Sequence, residues 1–406
     1  MRPLRELLVR NRDFRRLFLA SVVSMAGDWF SYVAVAGLVT ELTGRPGAPA
    51  FVYAATVLPV FAASPLAGAL ADRFDRKRIL VIADLVRVPI ALALCLAAAW
   101  RSTPLAIGAV TALAVGASFS DPIASAATPN LVDAEDLASA QSLMGAVWGS
   151  MLMVGAGIGG LVAELFGRQA AFAVDAASFL ASAWLIGGIR APMQRAPERP
   201  SAGSVRDAVR YILTTPIVLR LVLAKTGVSA GNGIVGLLPA FAARRFSGTS
   251  TATGLLFAAR GLGAMIGPML ARGAVGATPG RRAVIIVCGV STLTYSVVYA
   301  AFPLTYSFGV AMVLVILAHL GGGAQWSLST YGLQCETPDH FRGRVLSLDY
   351  GVATLWIGTS SIAAGVLADG WGEVAATWWL AAIGGGYGTV WLAWSLITVR
   401  TRPREG

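Results

Sequence analysis

The chain has 406 residues, 56% of them apolar and only 13% charged, with a net charge of +11. Soluble domains average about 25% charged residues, so composition excludes an ordinary water-soluble enzyme or nucleic-acid-binding domain and leaves an integral membrane protein. A positively biased set of membrane loops accounts for the net charge without any nucleic-acid partner.

Apolar runs punctuated by Gly, Pro and charge predict twelve helices, at 17–42, 50–71, 79–100, 104–126, 141–163, 169–189, 216–242, 252–272, 282–302, 304–332, 345–367 and 374–397. Each is near the roughly 20 residues that a helix needs to cross a hydrocarbon core of about 30 Å. The first run, Leu17 to Leu42, exceeds the 7–15 apolar residues of a signal peptide, so it is expected to be an uncleaved span. Outer loops are short, and the 46 Gly residues suit close helix approach in lipid.

Residues 190–215 form a polar, basic stretch with Pro192, Pro197 and Pro200, which is linker composition. Its second part, Ser204 to Leu213, has the pattern of a short amphipathic helix on the membrane surface. The expected organisation is a first six-helix bundle at 1–189, a cytoplasmic linker at 190–215 and a second bundle at 216–406.

Lys and Arg asymmetry sets the orientation. With the N-terminus inside, the outer segments hold only Arg45, Arg101, Arg168, Arg244 and Arg245, and the spans hold Arg87, Lys225 and Arg260. Every other cation falls on the inner side, so both termini are expected in the cytoplasm, in a bacterial inner membrane.

The halves repeat weakly. Phe14-Arg-Arg16-Leu with Gly27-Asp28 has a counterpart in Val218-Leu-Arg220-Leu with Gly231-Asn232. Thr128-Pro129 before the fifth helix parallels Thr337-Pro338 before the eleventh.

Between the second and third helices lies a knot of charge, Gly68-Ala-Leu-Ala-Asp72-Arg73-Phe-Asp75-Arg76-Lys77-Arg78. Its spacing resembles the signature loop of the major facilitator superfamily. A partial echo, Gly267 to Ala271-Arg272 with Arg281-Arg282 beyond, lacks the acid. The resemblance implies two six-helix halves with a substrate site near the midplane between them, working by alternating access. It also implies a conformational latch: Gly68, Asp72 and Arg73, with Asp72 meeting the start of the eleventh helix and Arg76 pairing with an acid at the inner end of the fourth, where Asp121 stands.

The fifth helix carries Gly155-Ala156-Gly157-Ile158-Gly159-Gly160. This is similar to the Gly-rich element of proton-coupled exporters, with Ala156 where that family usually has proline; Gly155, Gly159 and Gly160 are the matched positions. Further stretches, Asn11-Arg-Asp-Phe14-Arg15, Asp84-Leu-Val-Arg87, Thr128-Pro129-Asn-Leu131-Val132 and Asp175-Ala-Ala-Ser178-Phe179, resemble the macrolide-efflux and enterobactin-exporter branch.

Ionisable groups inside spans are functional candidates. Asp28 leads as the proton-coupling group, with Asp84 and Asp175 as alternatives. Asp84 and Arg87, one turn apart, are expected to neutralise each other, and Asp175 and Glu164 to cap or brace near the outer face. Lys225 and Arg260 are expected either to neutralise Asp28 or to meet an anionic group on the substrate. Candidate cavity residues are Asp28, Trp29, Tyr32, Trp148, Asn232, Arg260, His319, Gln325 and Trp326, a set suited to a bulky amphipathic molecule.

Cys95, Cys288 and Cys335 lack metal or disulfide spacing and are expected as apolar fillers. No phosphate-binding loop, zinc-protease or serine-hydrolase motif is present, so neither ATP hydrolysis nor catalysis is expected, and no cofactor. The expected protein is a monomeric, proton-driven exporter of small amphipathic molecules embedded in membrane lipid. An exporter dedicated to one siderophore or metabolite, a lysophospholipid transporter and a non-transporting scaffold are the alternatives.

Overall fold

The computed structural model describes residues 4–133, 135–194, 205–246, 248–276 and 279–399. Within them, the side chains of 4–5, 64–73, 121, 138, 339–340 and 398–399 lie outside the description. The expected latch residues Gly68, Asp72, Arg73 and Asp121 therefore fall outside the described side chains.

The described residues are helical throughout, with no strand among them. A short α1 (Leu4–Arg10) leads into α2 (Arg12–Thr43), α3 (Ala48–Arg73), α4 (Arg76–Ala99), α5 (Thr103–Leu131), α6 (Leu137–Leu165) and α7 (Arg168–Gly187). The amphipathic α8 (Val205–Thr214) follows, then α9 (Pro216–Gly231), α10 (Gly233–Arg245), α11 (Ser250–Val275), α12 (Arg281–Ala301) and α13 (Phe308–Glu336). The last run, Asp339–Val399, divides at Gly372 into α14 (339–371) and α15 (373–399).

The spans start and stop where the chemistry requires. Asn11 caps α2 by accepting from the Phe14 N–H at 2.9 Å, and its amide donates to the Leu131 carbonyl at 2.7 Å. Asp75, inside the charged turn, caps α4 by accepting from the Arg78 N–H at 2.8 Å. Gly167 (φ 83, ψ 159) joins α6 to α7, and Gly372 (φ 83, ψ 161) joins α14 to α15. A left-handed glycine with the same dihedrals at the corresponding helix junction of each half is a structural mark of the repeat.

Among the described residues, ten helical segments are long and apolar enough to cross a membrane. One of them, Phe341–Ile397, holds two spans separated at Gly372, and α3 supplies the remaining one. The seventh expected span is a pair, α9 and α10, with Asn232 between them. The arrangement is the expected twelve-span, all-helical architecture.

On α4 the residues turned inward are Leu80, Asp84, Arg87, Ala91 and Leu94, whereas Ile82, Leu85, Val86 and Leu92 point outward. Charge inside and large apolar groups outside is the arrangement that lipid, not water, selects.

Two compact units are present. Unit 1 comprises Met1–Pro200 with Pro239–Ala258; unit 2 comprises Ser201–Leu238 with Ala259–Gly406. Each has its own apolar cluster. In unit 1 it gathers Phe14, Leu17, Leu80, Ile123, Leu131 and Ile186, and in unit 2 Leu221, Val222, Ile285, Leu333, Val345 and Trp391.

Candidate functional site

Inside unit 1, α2, α4 and α7 bring ionisable side chains to one point. At 1.5 Å per residue, Asp28 stands about 24 Å along α2, Arg87 about 17 Å along α4 and Asp175 about 10 Å along α7. The Arg87 side chain is only 1% exposed. Its Nη2 donates to Asp28 Oδ1, its Nη1 donates to Ser24 Oγ at 3.2 Å, and Asp84 Oδ1 lies 3.7 Å from that same Nη1. The guanidinium carbon sits 3.9 Å from the centre of the Phe179 ring, a cation–π contact.

Asp28 is thus the nearer partner of Arg87, and Asp84 the second. The expected pairing of Asp84 with Arg87 is present: the one-turn spacing puts both on the buried face, and the longer reach of arginine carries its charge across to α2 as well. Asp175 joins the same cluster. Two turns into α7, it is completely buried, accepts from the Ser31 hydroxyl through Oδ2, and lies within electrostatic reach of Arg87. Among the described residues, its Oδ1 has no hydrogen-bond partner. Three carboxyls therefore share one guanidinium.

Small residues create the space for this cluster. A Cβ on Gly116 of α5 would lie 2.7 Å from Arg87 Cγ and 2.8 Å from Cδ. A Cβ on Gly27 would collide with the Ser178 hydroxyl and lie 2.6 Å from Asp175 Oδ1. Both glycines are structural requirements of the site. The position of Gly27 beside Asp28 was the only hint of this in the sequence; nothing around Gly116 on α5 marked it as a neighbour of Arg87.

A cavity of about 50 Å³ opens onto the cluster. Its polar wall is Ser21, Ser24, Asp28, Asp84, Arg87, Ser120 and Ser182, and it runs toward Leu17, Leu80, Ala124 and Ile186, at the end of the helices that carries the charged α3–α4 turn. By the requirement of about 10–15 Å³ per molecule, it holds a few waters. Asp28 is the accessible acid, with its side chain 33% exposed against 3% for Asp84.

The remaining candidates divide between the units. In unit 1, Trp29 and Tyr32 pack edge to face at 5.6 Å and both meet Phe257, at 5.9 and 5.1 Å. Trp148 on α6 is half-exposed. The Gly-rich element is a contact surface: a Cβ on Gly155 would lie 3.2 Å from Ala26 Cα, one on Gly159 2.7 Å from Phe30 Cα, and one on Gly160 2.5 Å from the Ser250 carbonyl. Arg76 donates to the carbonyls of Ala126 at 2.7 Å and Met193 at 3.4 Å. Glu164 accepts from the Thr251 N–H at 3.0 Å, a capping contact on α11.

In unit 2, Asn232 and Arg260 are buried. His319 is also buried, and its Nε2 hydrogen-bonds the Tyr299 hydroxyl at 2.9 Å. Gln325 is fully buried and donates to the Ala224 carbonyl, fastening α13 to α9. Lys225 does not neutralise Asp28; it is ion-paired with Asp349 on α14, a residue the sequence reading did not single out. The available signal was an acid within the apolar run 345–367 and a lone lysine in 216–242.

Among the described residues no cluster of His, Cys, Asp and Glu fits a metal ion. Cys288 is buried, as a filler should be, whereas Cys335 is exposed near the end of α13.

A family model described as transmembrane secretion effector, within the major facilitator superfamily, matches residues 7–405. The chain belongs to this family. The chain is 27% identical over 375 residues to the multidrug efflux pump Tap of Mycolicibacterium fortuitum, covering 87% of this chain and 88% of that one. It is 26% identical over 365 residues to the enterobactin exporter EntS of Salmonella choleraesuis, covering 84% and 82%.

Solved structures place its fold. A bacterial homologue of the human lysosomal transporter Spinster superposes with a TM-score of 0.77 at 15% identity, over 100% of each chain. A D-xylose–proton symporter gives 0.69 at 15% identity, over 96% of this chain and 98% of that one. The chain is a multi-pass membrane protein with the major facilitator fold, that of secondary transporters.

Proposed function

We propose that the chain is a proton-coupled exporter of hydrophobic or amphipathic small molecules, working by alternating access, with Asp28 as the proton-accepting group. The observation that carries this reading is the ion pair of Arg87 with Asp28, set at the head of a cavity large enough for water. The names of two relatives, a multidrug efflux pump and an enterobactin exporter, support the substrate class and the outward direction.

The chemistry is a charge-count problem. With all three acids ionised, Asp28, Asp84 and Asp175 against Arg87 would leave two uncompensated negative charges in a low-dielectric bundle, which is strongly unfavourable. Protons restore neutrality. Asp28, the exposed member, exchanges its proton with cavity water most readily.

When Asp28 is ionised, Arg87 ties α4 to α2. When a proton neutralises Asp28, the guanidinium keeps Asp84 on its own helix and its bond to Ser24, but the charge pair between the helices is lost and the tie weakens. Proton occupancy thus changes how firmly α2 and α4 are held together, which is the property a coupling site needs.

Lys and Arg asymmetry supports both termini in the cytoplasm, in a bacterial inner membrane, and the polar, Pro-rich stretch at 190–215 supports bundles bounded near 189 and 216. Arg76, held on the Ala126 and Met193 carbonyls, belongs in this reading to a latch with Gly68, Asp72, Arg73 and Asp121. The working unit is a monomer in lipid, with no cofactor.

The test is flux of ethidium through purified protein in liposomes, with and without an imposed pH gradient. Gradient-driven ethidium movement supports the reading. Movement of a catecholate siderophore alone, or of a lysophospholipid alone, would replace the substrate class, and no flux of any of the three would favour a non-transporting scaffold.

A further inference from the structure

Unit 2 contains a buried ion pair that the proposed cycle does not use. Lys225 on α9 and Asp349 on α14 are salt-bridged, with side chains 1% and 4% exposed. At 1.5 Å per residue both lie about 14–15 Å into their helices, so the pair sits deep and at a common level. Lys225 Nζ also donates to Thr330 Oγ1 at 2.9 Å and stands 5.2 Å from the centre of the Trp326 ring. One lysine is thereby shared among α9, α13 and α14.

The pair is incompletely satisfied. Asp349 Oδ2 takes the ammonium, whereas Oδ1 is buried and, among the described residues, accepts no hydrogen bond. A buried, partnerless carboxylate oxygen costs more than the same oxygen carrying a hydrogen. A closed structural clasp would satisfy both oxygens.

The groups packed around the pair leave Asp349 as the only acid facing Lys225 among the described residues. From α12 comes Cys288, whose Sγ donates to the Gln325 carbonyl. From α15 comes Tyr387, whose hydroxyl donates to the Leu223 carbonyl at 2.8 Å. On α9 itself, Arg220 lies over the Trp394 ring at 5.2 Å, and from α8 Tyr211 donates to the Glu336 carbonyl at 3.0 Å.

We infer that Lys225 and Asp349 form a second proton-binding site, so that each half of the transporter carries its own protonatable carboxylate. A hydronium ion gives its proton to Asp349 Oδ1: one O–H bond of the hydronium breaks, one forms on the carboxyl, a water molecule is released, and Lys225 keeps its own proton. The ion pair becomes an ammonium beside a neutral acid, and the freed ammonium must find solvent or an anionic group. The event loosens the α9–α14 contact as protonation of Asp28 loosens α2–α4. This inference rests on the proton-coupled reading of the first half, but its test does not depend on transport.

Trp326 is a built-in reporter, because the Lys225 ammonium sits over its ring. Tryptophan emission of the purified full-length protein in nanodiscs is titrated with pH for wild type, Trp326→Phe, Asp349→Asn and Asp28→Asn. The expected result is a transition on acidification that is lost in Trp326→Phe and Asp349→Asn and kept in Asp28→Asn. Because Asp349→Asn strands a buried lysine, the neutral pair Lys225→Gln with Asp349→Asn is measured beside it, and the transition is expected to be absent there as well.

Persistence of the transition in the neutral pair, its absence from wild type, or its appearance only on alkalinisation, which would assign it to deprotonation of Lys225, overturns the inference. Ethidium flux read on the same preparations separates the two claims. Gradient-insensitive flux with an intact Trp326 transition removes the coupling assigned to Asp28 and leaves Asp349 as a proton site. Gradient-driven flux with no transition does the reverse.

Discussion

Arg87 on α4 is ion-paired with Asp28 on α2, although Asp84 stands one turn away on its own helix with Oδ1 at 3.7 Å. A charge that prefers the neighbouring helix to its own links two spans. Because the guanidinium is buried and Asp28 is the accessible partner, the link is open to protons at one end only.

Removing the cation is the most damaging change in this cluster. Arg87→Gln leaves Asp28, Asp84 and Asp175 without a counter-charge, and breaking a buried pair from one side costs about 3–5 kcal/mol. Thermal unfolding in detergent is expected to show a much lower midpoint. The double variant Arg87→Gln with Asp28→Asn is expected to recover part of the loss, because partners in one network are not additive. An additive double variant would mean that the two side chains do not act on each other.

Gly116 is predicted to matter as much as a charged residue. Alanine there places a methyl 2.7 Å from the Arg87 stem, so the side chain must shift and its tip leaves Asp28. Overpacking of this kind costs about 1–3 kcal/mol. The expected outcome for Gly116→Ala is a modest loss of thermal stability with a larger loss of gradient-driven flux. Equal behaviour to wild type in both assays would show that Arg87 has slack the structure does not suggest.

The Gly-rich element of α6 is predicted to act through backbone distance. Gly159→Ala would bring a Cβ to 2.7 Å from Phe30 Cα, and Gly160→Ala to 2.5 Å from the Ser250 carbonyl. Neither neighbour is the flexible end of a side chain, so the helices themselves must separate, again at about 1–3 kcal/mol. Both variants are expected to reach the membrane at reduced yield and to lose most of their flux. Gly157→Ala, whose Cβ would meet only Ala258 Cβ at 3.6 Å, is expected to be tolerated.

The fold was readable because lipid imposes a simple code. A run of about 20 apolar residues has few alternatives to a spanning helix, and the spans follow the Gly, Pro and charge punctuation to within several residues. The break at Asn232, which divides the seventh span into α9 and α10, falls at Gly231-Asn232-Gly233, within an apolar run that reads as one span. The site was legible by residue type but not by partner. Asp28, Asp84, Arg87 and Asp175 stand out as charges inside apolar runs, yet nothing in linear spacing says that α7 turns Asp175 toward Ser31, or that Lys225 meets Asp349 rather than Asp28. Those pairings depend on which helix faces pack, and faces are set by small residues such as Gly27 and Gly116 whose role appears only in three dimensions.

The central claim is that a proton on Asp28 drives transport, and Asp28→Asn tests it most directly. Asparagine keeps the shape and a hydrogen-bonding oxygen for Arg87 but cannot ionise. In liposomes, the account predicts that Asp28→Asn abolishes ethidium accumulation driven by an imposed pH gradient while preserving exchange of ethidium across the membrane without a gradient. Gradient-driven accumulation at the wild-type rate in Asp28→Asn would contradict it.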